Sequence, residues 1–474
     1  MVGPDVEIAD LTADSRAVRP GTLFAALRGR RVDGLAFVEE ALARGAVALL
    51  GDGRITAFAG RATLLVAEDP RRALARIAAR LYPERPVRLV AVTGTDGKSS
   101  TVAFARDIWR TLGRRAASLG TLGLEPAVVA APPLTTPDPP ALHRLLAAAA
   151  RAGIERLALE ASSHGLDQRR LDGLVFAAAG FTRLGRDHLD YHGDAESYFT
   201  TKARLFETLL APDGTAVLPL DDPHGRRLAG RVRERGARIA GWGEGVGDPA
   251  IAAIRPGPEG LVVELVLAGL RRRLDLPLYG PFQARNLACA LGLVRAVETG
   301  ADAEALLAAA AEVRPVRGRM EPVAVTPRGA RVLVDYAHTP DALAAALRAA
   351  RAHFPRGRLC VVFGCGGERD PGKRAPMGRI ARRLADLVIV TDDNPRGEDP
   401  AAIRRQVREG AGGDAVEIGD RRAAIAHAVR ELPLGAGDVV LVAGKGHERG
   451  QIVGGRILPF DDAAVVRELC GMTA

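Results

Sequence analysis

Among the 66 basic residues of this 474-residue chain, four are lysine and the other 62 are arginine. A chain so biased keeps lysine mainly where a compact ammonium, or an amine that can lose its proton, cannot be replaced by a guanidinium. The four are Lys98, Lys202, Lys373 and Lys445, each in a motif-like segment. Lys98 lies in the run Gly94-Thr95-Asp96-Gly97-Lys98-Ser99-Ser100. Glycines there let backbone N–H groups face a phosphate, a following helix N-terminus adds positive potential, and Lys98 can reach the outer phosphate oxygens. Ser99 or Ser100 can offer a hydroxyl to Mg²⁺. The usual spacing wants a glycine five residues before Gly97, where this chain has Val92, so the loop is a shorter variant. Two further groups carry chemistry. Glu160 and His188 each follow an apolar run and could bring an oxygen and a nitrogen ligand to the phosphates, since Mg²⁺ takes few protein ligands and keeps waters and phosphate oxygens. Asp393-Asn394-Pro395-Arg396 sets acid, amide and guanidinium in one turn, where Asn-Pro alone would serve as a plain turn former.

Such residues need strands and helices to hold them. A strand over 87–93 and a helix over 99–112 are predicted around the glycine loop, with further strands at 154–160, 175–182 and 215–220. The Pro- and Thr-rich loop 126–140 is expected to reach towards a ligand. Upstream, strands at 23–27 and 46–50 and a helix at 37–44 form a small α/β unit, ended by the linker Tyr82-Pro83-Glu84-Arg85-Pro86. A β-rich stretch at 250–277 precedes a helix starting near Phe282. Beyond Arg319, apolar strands at 332–335, 359–364, 387–391 and 439–443 alternate with Ala-rich helices, and each runs into polar, glycine-bearing residues. Open parallel sheets bind ligands outside the carboxyl ends of their strands, so four such ends predict one shared site. The expected fold is α/β in three domains: 1–85, a small N-terminal domain; 86–316, a central parallel-sheet domain of the P-loop ATPase kind; and 317–474, a Rossmann-like domain.

Composition narrows the function classes. At 47% apolar and 26% charged residues the chain reads as an ordinary globular protein. No apolar run approaches the roughly 18 residues that span a bilayer. The first ten residues lack the charged-then-apolar order of a secretion signal, so a cytoplasmic protein is expected. Cys289, Cys360, Cys365 and Cys470 form no CxxC pair, which suggests neither a disulfide framework nor a zinc site. A net charge of +9 invites a nucleic-acid reading, but the arginines are scattered through helical stretches without interleaved aromatics.

The segment 94–100 resembles the ATP loop of the Mur ligases and their folylpolyglutamate synthase relatives, which join a carboxylate to an amine. Residues 160–166 (Glu-Ala-Ser-Ser-His-Gly-Leu), 181–193, 202–206 (Lys-Ala-Arg-Leu-Phe), 335–340 (Asp-Tyr-Ala-His-Thr-Pro) and 444–448 (Gly-Lys-Gly-His-Glu) resemble the same family, essentially end to end. The resemblance implies ATP contacts at Gly94 to Ser100 and at Asn286, Arg319 and Asp335; the family more often has Asn where Gln283 stands. It implies Mg²⁺ on Ser99, Glu160, His188 and Lys202, with Lys202 carbamylated, and a catalytic set of Lys98, Glu160, His188 and Lys202. A UDP-muramoyl dipeptide is implied at Ser15, Arg30 (where some members carry His), Thr135, Thr136, Ser162, Gln168 and Arg170. The amino acid is implied at Arg369, Asp393, Asn394, Pro395, Arg396, Gly444 and Glu448.

The implied activity is ATP-dependent addition of meso-diaminopimelate to the D-glutamate γ-carboxylate of UDP-N-acetylmuramoyl-L-alanyl-D-glutamate through an acyl-phosphate, by a cytoplasmic monomer acting on small molecules. The amine could instead be L-lysine or L-ornithine. The chain could also be a folate-polyglutamylating relative, an inactive scaffold, or a basic nucleotide-dependent nucleic-acid-binding protein. The uridine-type N-terminal domain and Asp393 to Arg396 argue against folate, and intact Lys98, Glu160, His188 and Lys202 against a scaffold.

Overall fold

The computed structural model describes residues 2–29, 32–127, 129, 134–185 and 187–472. The chain divides into two compact units, 1–241 with 292–300, and 242–291 with 301–474.

The first unit holds two parallel sheets. In the smaller, strands Asp10–Thr12, Thr22–Ala25, Ala46–Gly51 and Thr63–Val66 pair in that order, all parallel. Alternate residues of one strand point to opposite faces, and this sheet uses both. Leu23 and Ala25 pack with Leu74 and Ala78 of the helix Pro70–Leu81, while Phe24 packs with Val38, Ala41 and Ile55. The larger sheet orders Leu210–Pro219, Phe176–Phe181, Arg88–Thr93, Arg156–Glu160, Ala116–Gly120 and Gly123–Glu125, with only the last strand antiparallel. Its central strand, Arg88–Thr93, is buried beyond its first residue. Small residues at Ala91, Ala117, Ala158, Ala178 and Ala179 let the helices Lys98–Thr111 and Pro139–Arg151 sit close to it.

The second unit holds a meander, Ala250–Gly257, Gly260–Leu267 and Leu270–Leu276, and a six-stranded sheet. That sheet orders Glu321–Val325, Arg331–Asp335, Val439–Ala443, Leu359–Phe363, Leu387–Val390 and Val416–Glu417, parallel apart from the first strand. Helices cover both faces. Pro340–His353, Arg374–Leu384 and Pro400–Ala411 pack on one, Arg421–Ala426 and Asp462–Leu469 on the other. This is the doubly wound arrangement in which ligands meet the strand ends. A hairpin, Gly450–Val453 with Arg456–Pro459, follows the last parallel strand. Among the described residues no helix is long and apolar enough to cross a membrane.

Candidate active site

Strand Arg88–Thr93 runs through Gly94 to Gly97 into helix Lys98–Thr111, as the glycine spacing predicts. Gly94 (φ +152°) and Gly97 (φ +83°) take backbone angles that side chains rarely allow. A Cβ on Gly94 would also collide with Thr182 Oγ1, the end of the neighbouring strand. Thr182 Oγ1 donates to Asp96 O at 2.6 Å, and the Thr95 N–H to Arg183 O at 2.9 Å, so the loop is tied to that strand end. Lys98 Nζ folds back onto Gly94 O (2.9 Å) and Thr95 O (2.8 Å). Lys202 arrives on helix Ala195–Arg204 and donates to the same Gly94 carbonyl at 2.9 Å. Its Nζ lies 4.2 Å from the centre of the Tyr198 ring. Burial first, and then the neighbouring Lys98 charge, hold the Lys202 amine well below the ordinary lysine range, with Asp187 and Asp96 pulling the other way.

Glu160 ends the next strand and is buried. The Thr121 N–H donates to its Oε1 at 2.9 Å and Thr121 Oγ1 to its Oε2 at 3.2 Å. Gly120 leaves the space, because a Cβ there would strike the Glu160 carboxylate. Thr135, Thr136, Ser162, Gln168 and Arg170 gather in one chain of hydrogen bonds. Thr135 Oγ1 meets Thr121 Oγ1 (3.0 Å), Thr136 Oγ1 meets Ser162 Oγ (3.0 Å) and donates to Glu160 O (2.8 Å). Arg170 donates to Thr136 O (2.6 Å) and to Gln168 Oε1 (2.8 Å). His188 has a left-handed backbone (φ +53°) and an exposed ring, 3.3 Å from Asp187 and edge-on to His164 at 4.7 Å. His164, held down to about 4 by burial and by nearby His188 and His192, also packs on Tyr191. No three His, Cys, Asp or Glu side chains converge into a metal-holding group among the described residues. Ser15 stands apart from this network and donates to Glu40 at 2.7 Å. Arg30 lies outside the described residues.

In the second unit the four strand ends do meet. The Gly444 N–H donates to Asp335 O, the Thr391 N–H to Phe363 O, and a Cβ on Gly444 would lie 2.6 Å from Asp393 Oδ2. Asp393, Asn394 and Pro395 are buried. Arg396 takes φ +54° and donates through Nη1 to Gly367 O at 2.7 Å. Gly366 lies beside both predicted arginines: a Cβ on it would lie 2.7 Å from the Arg396 guanidinium at Nη1 and 3.8 Å from the aliphatic stem of Arg369 at Cγ. Glu448 is held below the ordinary carboxylate range: burial would raise it, but the Lys445 charge and a bond from Asn394 outweigh that. Asn286 donates to Gln283 Oε1 at 2.9 Å, Arg319 lies over the Tyr336 ring, and Asp335 accepts the Met320 and Ala337 N–H groups.

Three family profiles divide the chain among them: "Mur ligase family, catalytic domain" over residues 7–82, "Mur ligase middle domain" over 92–294, and "Mur ligase, glutamate ligase domain" over 318–446. The chain belongs to the Mur ligase family. Relatives named UDP-N-acetylmuramoyl-L-alanyl-D-glutamate–2,6-diaminopimelate ligase include those of Agrobacterium fabrum, 47% identical over 98% of this chain and 93% of theirs, and Bradyrhizobium diazoefficiens, 48% identical over 97% and 94%. A solved structure titled as the same ligase superposes with a TM-score of 0.69 at 34% identity, covering 99% of this chain and 97% of that one. The ADP complex of a MurF ligase from Thermotoga maritima shares the fold at 21% identity, with a TM-score of 0.65 over 97% and 96%.

Several residues that brace the candidate site residues within each unit of this Mur ligase escape a reading of the sequence. Thr121, which holds Glu160, sits in no motif. Arg421 and Asp462 form an ion pair with no exposed surface, and Arg421 also donates to Ala443 O (3.0 Å) and Asp392 O (3.4 Å), bracing two strand ends. Forty-one residues separate the pair, and no local pattern links them. Lys445 did carry a signal, the scarcity of lysine, without a role.

Proposed function

We propose that this Mur ligase adds meso-2,6-diaminopimelate to the D-glutamate γ-carboxylate of UDP-N-acetylmuramoyl-L-alanyl-D-glutamate, converting ATP to ADP and phosphate. The names of the curated relatives support the reading. The observation that carries it is the pairing of charges around residues 393–396. The Arg396 guanidinium and the side-chain stem of Arg369 lie against Gly366, while the carboxylates of Asp393 and Glu448 stand near Gly444 and Asn394. A diamino diacid presents two ammoniums and two carboxylates, the complementary set.

In the proposed reaction the γ-carboxylate of the dipeptide attacks the γ-phosphorus of ATP, and ADP leaves. Lys98, freed from its loop carbonyls, would stabilise charge on the transferring phosphoryl oxygens. The amine of diaminopimelate then attacks the acyl carbon, expels phosphate and gives up a proton. Ser99, Glu160 and His188, with Lys202 as a carbamate, are the residues that would hold Mg²⁺. Glu160 and the Ser99 hydroxyl are hard oxygen donors beside the phosphate loop, and so few protein ligands suit an ion that keeps waters and phosphate oxygens. When bound, the ion would neutralise phosphate charge. Lys202 fits the modification because burial and the Lys98 charge favour the neutral amine, the form that can add to CO₂ and lose a proton, and the resulting anion would exchange repulsion by Lys98 for attraction. The dipeptide nucleotide is assigned to Ser15, Arg30, Thr135, Thr136, Ser162, Gln168 and Arg170, and ATP to residues 94–100 with Asn286, Arg319 and Asp335. The domains are taken as 1–85, 86–316 and 317–474, in a cytoplasmic monomer.

An amine screen tests this: ATP, the UDP-muramoyl dipeptide and each amino acid, followed by phosphate release. meso-Diaminopimelate is expected to be used far better than L-lysine. Arg396→Ala should penalise diaminopimelate by about 30- to several-thousand-fold, the 2–5 kcal/mol at stake when a buried charge pair loses one partner, and lysine little. The role proposed for Arg396 is to pair with the distal carboxylate of diaminopimelate, which lysine and ornithine lack, so equal wild-type turnover of either would remove this role while leaving the ligase intact.

A further inference from the structure

One ammonium of the second unit is wholly enclosed. Lys445 has no exposed surface, and its three N–H donors have three acceptors: Gly450 O at 2.6 Å, Glu448 Oε2 at 3.0 Å and Asn394 Oδ1 at 3.1 Å. The inventory is complete, since an ammonium has three donors and no acceptor. Gly444 (φ +114°) and Gly446 (φ +53°) flank it, so the chain can turn the lysine inward directly after strand Val439–Ala443. The partners then fix one another. Asn394 Oδ1 also accepts the Ile452 N–H at 2.9 Å, which leaves its Nδ2 to donate to Glu448 Oε2 at 2.9 Å. Glu448 Oε2 therefore takes two donors, while Oε1 takes none among the described residues.

We propose that Lys445 is a positioning residue for the amine substrate: it clamps the Asn394 amide and one oxygen of Glu448 so that the other oxygen, Oε1, faces the substrate's distal ammonium. The proposal rests on the reading of the amino-acid site given above. It also gives this lysine a reason to survive in an arginine-rich chain. A guanidinium is a planar fork with five donors, and the enclosed space offers three convergent acceptors around one nitrogen. A purely apolar replacement would leave the Gly450 carbonyl and Asn394 Oδ1 each short of a donor and leave Glu448 Oε2 held by the Asn394 amide alone.

The test is steady-state kinetics of the full-length enzyme with Lys445→Met, Glu448→Gln and the double variant. Lys445→Met should raise KM for meso-diaminopimelate by about 10- to 100-fold, the worth of a hydrogen bond to a charged group. The KM values for ATP and for the UDP-muramoyl dipeptide should not move. In the Glu448→Gln background the same substitution should add little, because the two act as a unit. An unchanged KM for the amino acid overturns the proposal. So does a parallel rise in all three KM values with a lowered melting temperature, or full additivity in the double variant. If Lys445→Met does not fold, Lys445→Gln, whose amide still reaches one carbonyl, decides by the same criteria. The wild-type amine screen judges the substrate reading separately: if another amino acid proves to be the amine, that reading falls, and Lys445 is judged on that amino acid's KM.

Discussion

The Gly94 carbonyl oxygen accepts from Lys98 and Lys202 at the same distance, 2.9 Å, so two amines that would both be cationic in water share one acceptor. Burial, with that crowding, favours the neutral form of Lys202, the form open to CO₂. With ¹³C-bicarbonate, a carbamate resonance is expected from the wild-type enzyme and not from Lys202→Ala. Lys202→Ala should be nearly inactive and partly rescued by short carboxylates. A crystal structure of the active state with bicarbonate present and a plain ammonium at Lys202 would sink the carbamate. Much of this scale was legible in the sequence, because phosphate chemistry demands glycine, lysine and hydroxyl at fixed spacing in one short loop. The shared carbonyl was not, since it needs residues 108 positions apart to meet.

Elements set how finely these groups are aimed. Helices Arg374–Leu384 and Pro400–Ala411, beside the strand that leads to Asp393, cross at two glycines. A Cβ on Gly410 would strike Ala375 O, and one on Gly378 would strike Val407 O. Gly410→Ala should therefore separate the helices and cost about 1–3 kcal/mol, the usual range for overpacking a filled core. The measurement is the midpoint of thermal or urea unfolding, and an unchanged midpoint would mean the helices slide without penalty. Strands with a clear apolar run of four to six residues were readable, because few alternatives fit such a run beside turn residues, whereas Thr63–Val66, Ala116–Gly120 and Glu321–Val325 went unread. Leu210–Pro219 was read only from Thr215, as Pro212 and Asp213 disguise its start and the register shifts there. The hairpin Gly450–Val453 with Arg456–Pro459 was missed although Gly454-Gly455 is a two-residue turn signal. It matters because the Arg396 N–H donates to Ile452 O and the Gly454 N–H to Arg396 O, so the hairpin fixes the backbone that carries the guanidinium.

At the scale of the whole molecule, stability should respond to acid through histidines the fold keeps neutral. His143, on helix Pro139–Arg151, is fully enclosed, neither ring nitrogen has a hydrogen-bond partner, and burial with Arg85 nearby holds it down to about 4. An unfolded imidazole protonates near pH 6.5. Between about 6.5 and 4 the unfolded chain binds the extra proton, so stability is full above this window and falls as pH drops through it, by about 2 kcal/mol at pH 5 for one such group. His143→Leu should thus raise the melting temperature more at pH 5 than at pH 8. An equal change at both would show the ring is not the acid-sensitive group. His447 is held near the same value by burial and Arg319, so some acid sensitivity should persist in the variant. None of this follows from sequence, where a lone histidine in an Ala-rich helix shows no partner and no lack of one. The rarity of lysine has a last consequence, for spectroscopy. A chain grown with side-chain-labelled lysine carries four labelled amines in 474 residues. One lies on the phosphate loop, one beside it at Lys202, one within the loop cluster of Asn394 and Glu448, and one, Lys373, bonded to His338 O. Four resolved signals in one spectrum would follow nucleotide, carbamate and amino acid separately, with no foreign probe attached.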